Sequence, residues 1–381
     1  MTEHTNGGHV AGRRPEIHHR GIREYSRPDS LFVGYRRGDG LPTHIPHQFL
    51  GGEGVIVSPA GADWSDLDRL LVYQQIHRGG GVIVLDAAGW SDRLRELYRF
   101  CIASDRVEDL LIFNPADPAR SNTYNVVLRG TPDSIASRVL ALLPATDSNP
   151  GADHYHQVAN YGLTVVVSAL QAAGLAFNTV DLAILLQQHR ALVELEARMQ
   201  ASHPGHEATS SLSHFLRETC PDSFRQKAIF GGIGGRLCMY GTGKFGEVMN
   251  TYTPDIDLFS AVRSNKIVCV GGLSMGKDTA SRNLVRMLSL DLFDAAAAVH
   301  TADQASSDYL PTLVVPGAWQ DLMPSSRTSM SVAREIMQQV SVPHLTLEPP
   351  EQILPRRFDH PPVQGADLHL RLEDYLKPVA A

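Results

Sequence analysis

The residues best placed for chemistry lie in two loops, each between a β-branched run and a helical pattern. That context suits a phosphate loop, GxxxxGK[ST]. Its glycines let backbone N–H groups surround the phosphates, its Lys contacts the β/γ oxygens, and its hydroxyl holds Mg²⁺. The first loop is SPAGADWS, Ser58–Ser65. Ser58 stands where the first Gly belongs, Asp63 at the second and Trp64 at the Lys, while Gly61 falls between them; only Ser65 fits its position. An Asp facing a triphosphate adds repulsion between like charges, and Trp supplies no cation. Read by itself, the loop is a strand-to-helix turn with Asp63 or Ser65 as N-cap. The second loop is GGLSMGKD, Gly271–Asp278. Gly271, Gly276 and Lys277 are in register, but Asp278 replaces the hydroxyl residue and Thr279 follows it. Some phosphate-binding kinases tolerate such a GKDT sequence. Against that, the chain beyond Lys277 is short for a kinase core and ends in a Pro-rich stretch. The expectation is a structural loop, with phosphate binding as the alternative.

Other constellations carry less. His154 and His156 are two apart on a helical pattern, so their side chains point to different faces and do not chelate together. The four Cys (Cys101, Cys220, Cys238, Cys269) are widely spaced with no CxxC pair, which speaks against a disulfide framework or a Cys-type zinc site and for a reducing compartment. No GxSxG elbow supports covalent hydrolase chemistry. The expectation is therefore no metal and no cofactor, with ATP and Mg²⁺ only under the alternative. Arg13, Arg14, Arg20 and Arg23 beside His18-His19 form a small basic arm near the N-terminus, read as a solvated tail.

The elements that must position these loops follow from periodicity. Gly54–Ser58, Gly81–Asp86 and Leu110–Phe113 read as buried strands, with amphipathic helices at Ser65–Arg78 and Ser91–Ala103 between them. Strand–helix–strand units at this spacing imply a parallel sheet with right-handed crossovers. The middle of the chain is different. Ser134–Leu143, His154–Gly174, Thr179–Ala201 and Ser211–Glu218 all show helical spacing without an intervening strand. The αβ pattern resumes with strand Lys266–Val270, helix Ala280–Ala298, strand Thr312–Val315, helix Ser331–Val340 and strand His344–Leu347. The expected organisation is a flexible N-terminus at 1–20, α/β core at 21–145, an all-helical domain at 146–247, α/β core again at 248–348, and a Pro-rich tail at 349–381.

The chain is 381 residues long, enough for two or three domains. With 34 Lys and Arg against 41 Asp and Glu its net charge is −7, a poor balance for neutralising nucleic-acid phosphates. Direct DNA binding is not expected. The longest apolar stretch, Tyr161–Ala176, is broken by Ser168 and Gln171 and is too short to span ~30 Å of hydrocarbon, so no transmembrane segment is expected.

A family resemblance joins these observations. FNPADPARSNTYNVVLRG (Phe113–Gly130) resembles a segment of type IV secretion coupling proteins, the TraD/TraG class of conjugation ATPases. That family carries Asn-Pro-x-Asp-Pro and Ser-x-Thr-Tyr-Asn-Pro runs after the third element of a RecA-like core. The matching residues are Asn114, Asp117, Pro118, Thr123, Tyr124 and Asn125, with Val126 replacing the last Pro. GGGVIVLDAAG (Gly79–Gly89) resembles the family's strand ending in Asp-x-Lys-Gly, with Ala88 for Lys. Thr251–Leu273 resembles the stretch that re-enters the core after the family's helical domain. The similarity runs in order over Ile45–Leu347.

The resemblance implies a RecA-like, P-loop-NTPase-type core with an inserted all-helical domain. It puts the phosphate loop (Walker A) at Ser58–Ser65, without its Gly and Lys. It puts Walker B after Thr312–Val315, where Pro316-Gly317 replaces the Asp-Glu pair that holds Mg²⁺ and polarises water. The implied protein is a pseudo-ATPase in a secretion or conjugation apparatus, acting through protein contacts as an adaptor or ring subunit. Its implied partners are secretion or conjugation proteins, an active coupling ATPase among them, in a homo- or hetero-oligomer. Its implied location is cytoplasmic, peripheral to the inner membrane through partners. The family's N-terminal membrane helices have no counterpart here. In this register Asp63 and Trp64 begin the first core helix beside Pro316-Gly317.

Overall fold

The computed structural model describes residues 16–52, 54–58, 65–86, 91–144, 150–273, 278–303, 310–317, 319, 335–336 and 338–347. The central sheet is built from β4 (Gly51–Gly52), β5 (Val55–Val57), β6 (Val82–Leu85), β7 (Leu110–Phe113), β8 (Ile267–Val270) and β9 (Thr312–Val315). Their spatial order is β4-β5-β9-β6-β8-β7, and all but β4 are parallel. The α/β class and mostly parallel sheet follow the sequence expectation. All six predicted strands, near 54, 81, 110, 266, 312 and 344, coincide with observed strands to within a residue or so at each end.

Period-two alternation sorts the strand residues between two layers. Ile56, Val82, Val84, Ile112, Ile267, Cys269, Leu313 and Val315 face one hydrophobic cluster with α1 (Asp66–His77) and α2 (Asp92–Ala103). Val55, Val57, Ile83, Leu85, Phe113, Val268, Val270 and Val314 face the other, with α11 (Asp278–Asp303) and the helical domain. A strand buried on both faces must be apolar throughout, which is why GVIVLD and KIVCV read as continuous apolar runs.

The remainder of the core is a short hairpin, β2 (Ser30–Arg36) and β3 (Pro42–Pro46), joined by β10 (Val340–Ser341). Periodicity alone does not reveal this hairpin, because Gly34 and the prolines of β3 interrupt the alternation. Two corrections concern the ends. Glu16–His18 forms β1, paired in parallel with β11 (His344–Thr346), so part of the segment expected to be flexible at 1–20 is a paired strand. Val340 belongs to a strand rather than to the expected Ser331–Val340 helix, of which only Glu335, Ile336 and Gln338 are described as helical. The tail at 349–381 lies outside the described residues.

The helical domain contains α4 (Pro150–Ala172), α5 (Thr179–Gln187), α6 (His189–Ser202), α7 (Glu207–Glu218), α8 (Ser223–Cys238) and α9 (Gly243–Met249). The expected single helix Thr179–Ala201 is broken at Gln188, which is extended at φ −113° and ψ 103°. Apolar spacing does not register one extended residue inside an otherwise helical run. Helix α8 is not among the expected helices, and its GGIGG run at 231–235 has low helix propensity. Its glycines instead permit close packing: a Cβ at Gly234 would lie 2.6 Å from Gln187 Cγ of α5. Between this domain and the core sit α3 (Pro132–Leu140) and α10 (Leu258–Arg263). Among the described residues no helix is long and apolar enough to cross a membrane.

Candidate functional site at the sheet edge and the domain seam

In open parallel sheets ligands bind outside the carboxyl ends of the strands. Here that edge follows β5, β6, β8 and β9. Ser58 continues β5, its N–H donating to Val314 O at 2.8 Å, so the start of the first loop lies beside Pro316. Gly61, Asp63 and Trp64 lie outside the described residues. Ser65 is the N-cap of α1, in a full capping box with Asp68. The Asp68 N–H donates to Ser65 Oγ at 3.2 Å, and the Ser65 N–H donates back to Asp68 Oδ2 at 3.1 Å. Ser58 Oγ donates to Asp68 Oδ1 at 2.8 Å. The helix N-terminus, which would otherwise attract phosphate, is therefore already served by the buried carboxylate of Asp68, with Asp66 in the same turn. Burial pushes the Asp68 carboxyl above its ordinary range, opposed by its bonds from Ser65 and Ser58 and by the charge of Arg93.

The next strand end adds a second cluster. Ser91 caps α2 and its Oγ donates to Asp86 Oδ2 at 2.5 Å. Arg93 Nη1 lies 3.7 Å from Asp86 Oδ1, with both side chains largely buried. Gly317 closes the edge at φ +52°. A Cβ there would sit 2.7 Å from Leu85 O and 2.9 Å from Arg93 Nη1, so only glycine fits. Ser58, Ser65, Asp68, Asp86, Ser91, Arg93, Pro316 and Gly317 thus share one edge. Ser65 and Asp86 are the groups that would approach a Mg²⁺–nucleotide, and both are already hydrogen-bonded within the chain. No group of three His, Cys, Asp or Glu with metal-binding geometry occurs among the described residues.

The second loop follows β8 at the same edge. Gly271 donates its N–H to Phe113 O at 2.8 Å, so this amide is committed to the chain itself. Gly272 is left-handed, φ +67°, and its Cα presses on the next strand's turn: a Cβ would lie 2.0 Å from Asn114 Oδ1. Thr279 lies in the first turn of α11. Gly276 and Lys277 lie outside the described residues.

The Asn114–Asn125 segment turns out to fasten the core to the helical domain. Asn114 turns the chain, accepting from the Ala116 N–H at 3.2 Å and donating its own N–H to Ser121 Oγ at 2.8 Å. Asp117 accepts from Arg120 Nε at 2.7 Å, and Pro118 starts a 3-10 turn. Lys244 of α9, in the weak GTGKFG stretch, donates to Ala116 O at 2.8 Å. The Thr123 N–H and hydroxyl both donate to Asp255 Oδ2, at 2.7 and 2.8 Å. Asn125 is buried and donates Nδ2 to Phe177 O and Thr251 O, at 2.9 and 3.0 Å. Tyr124 donates its hydroxyl to Asp291 Oδ2 of α11 at 2.7 Å. Burial, with the charge of Asp291 beside it, holds the Tyr124 phenol well above its ordinary value.

Asp291 also meets Arg138 Nη1 at 2.8 Å, and Arg138 Nη2 reaches Asp294 Oδ2 at 3.0 Å. Arg138 is fully buried and donates as well to Val126 O at 2.9 Å. Sequence reasoning missed Asp68, Arg93, Arg138 and Asp291. Ser65-x-x-Asp68 was legible as a capping-box pattern. Arg138 stands between Ile135 and Val139 in a helical run, with no local sign that it would be buried.

No protein-family model and no curated protein matches this chain. Solved structures do align with it. An unbound form of the bacterial conjugative coupling protein TrwBdeltaN70 is 12% identical, over 86% of this chain and 78% of that one, at a TM-score of 0.41. A sulphate complex of the same protein is 13% identical, over 88% and 78%, at 0.43. The plasmid coupling protein TrwB with the non-hydrolysable GTP analogue GDPNP is 13% identical, over 79% and 71%, at 0.38. Scores of this size carry no inference about family, ligand or activity for this chain.

Proposed function

We propose that the protein is a non-hydrolysing, coupling-protein-like component of a type IV secretion or conjugation apparatus, acting through protein contacts as an adaptor or ring subunit. The observation that carries this reading is the Ser58–Ser65–Asp68 cluster at the N-terminus of α1, where the Asp68 carboxylate accepts from the Ser58 and Ser65 hydroxyls and from the Ser65 N–H. The order of the Asn114–Asn125, Thr251–Leu273 and Thr312–Val315 segments supports the family part of it. Arg93, set between Asp86 and Gly317, supports a site arranged around an internal ion pair. The alternative, phosphate binding by Gly271–Thr279, would have to do without the Gly271 N–H, which Phe113 O already holds.

ATP·Mg²⁺ titration monitored by thermal shift tests the nucleotide part. A ligand at 100 times its Kd stabilises a protein by about 2.7 kcal/mol. No such gain is expected, in the wild type or in Lys277→Ala. Micromolar binding that disappears in Lys277→Ala would replace this reading with the alternative. Affinity capture from the native cell tests the partner part, with secretion or conjugation proteins expected in the eluate.

A further inference from the structure

A cavity of about 650 Å³ opens between α11, α10 and the loop that leads into α3. Its wall is mostly apolar, with Leu128, Pro132, Phe259, Ala295 and Ala298 contributing. Charges occupy its floor and rim. Arg129 Nε pairs with Asp257 Oδ2 at 2.6 Å at the rim, so those two charges cancel. On the floor a single guanidinium, Arg138, serves two carboxylates, Asp291 and Asp294. That cluster is one positive charge short.

The lone-pair count locates the deficit. Both Asp291 oxygens are engaged, one by Arg138 and one by Tyr124. Asp294 accepts from Arg138 through Oδ2 only, and its side chain is 43% exposed. Its Oδ1 has no donor among the described residues, and Asp294 lines the cavity. A second polar atom is also unsatisfied: the Nε–H of Arg138, a fully buried wall residue, has no acceptor among the described residues. Burial raises the Asp291 carboxyl to about 6, opposed by Arg138 and the Tyr124 hydrogen bond, with smaller repulsions from Asp294 and Asp257.

We propose that this cavity binds a primary ammonium group carried on a short apolar body. The ammonium donates to Asp294 Oδ1 and supplies the missing positive charge. The apolar body lies against Phe259, Ala295 and Ala298. The same chemistry could arrive as a free amino alcohol or as the lysine side chain of a partner protein.

Calorimetric titration of the full chain at pH 8 with 4-amino-1-butanol, 1-butanol and Nα-acetyl-lysine methylamide tests this. The amino alcohol is expected to bind with a millimolar Kd and 1-butanol at least tenfold more weakly. Asp294→Asn, at a half-exposed position, should weaken the amine at least tenfold, and Ala298→Phe should block it by filling the cavity. The capped lysine binding as tightly as the amino alcohol assigns the ligand to a partner's side chain, and its failure assigns it to a free amine. Equal binding of 1-butanol, full binding by Asp294→Asn, or no binding of either amine overturns the proposal.

Discussion

Removing Arg138 should cost much more stability at pH 8 than at pH 5. The reasoning starts from Asp291, buried and held at about 6 against an ordinary 3.8. A carboxyl raised in the folded state is harder to ionise there than in the unfolded chain. Its contribution to stability therefore falls as pH rises from about 3.8 to about 6 and is level above that. Across that window the native protein carries a penalty of about 3 kcal/mol, at ~1.4 kcal/mol for each tenfold change in the ionisation constant. Arg138 is the strongest influence opposing the penalty. Arg138→Met leaves the ionised carboxylate buried without a cation, a loss of about 3–5 kcal/mol at pH 8. At pH 5 Asp291 takes up a proton, and the loss shrinks to the missing hydrogen bonds, about 1–3 kcal/mol. Asp294 adds little, because it is half-exposed and returns to water. Adding Asp291→Asn to Arg138→Met should recover about 2 kcal/mol at pH 8, since Asn still accepts from Tyr124 without the charge. Urea unfolding of the wild type and both variants at both pH values measures this. Equal losses at pH 5 and pH 8, or no recovery in the double variant, would refute the argument.

Gly272→Ala should lower stability by about 2 kcal/mol or more, because the new Cβ meets Asn114 Oδ1 at 2.0 Å in a left-handed backbone; thermal melts would show it. Asn125→Ala removes a buried partner of Phe177 O, Thr251 O and the Val127 N–H, so a loss of about 3 kcal/mol is expected, with faster amide exchange around 248–256. Ser65→Ala should cost about 1 kcal/mol through the lost cap, read from the urea midpoint. Iodoacetamide at pH 8 should alkylate Cys238 first, by mass spectrometry. Cys101, Cys220 and Cys269 are buried, and burial pushes the Cys101 thiol to about 12 and the Cys220 thiol to about 11.

The sequence by itself determined the parallel sheet and the helical domain. GVIVLD, LLIF, KIVCV and TLVV are apolar on both faces, which leaves few solutions other than a strand covered by helices on each side. It also showed that Ser58–Ser65 and Gly271–Asp278 depart from the GxxxxGK[ST] pattern, since residue identity alone settles which side chain stands at each position. The β2–β3 hairpin, the break at Gln188 and α8 escaped it. Each depends on what the segment packs against: β2 on α1, α5 on α8, and Gly234 on Gln187.

The site divided along the same line. Ser65-x-x-Asp68 could be read locally, because a capping box closes within one helical turn. The remaining partnerships join residues far apart in sequence. Arg138 meets Asp291 across 153 positions of chain, and Tyr124 meets the same carboxylate across 167. Neither segment records which remote charge it will face. Only the folding of α11 between the sheet and the helical domain brings Tyr124, Arg138, Asp291 and Asp294 together, and it alone leaves two carboxylates sharing one buried guanidinium.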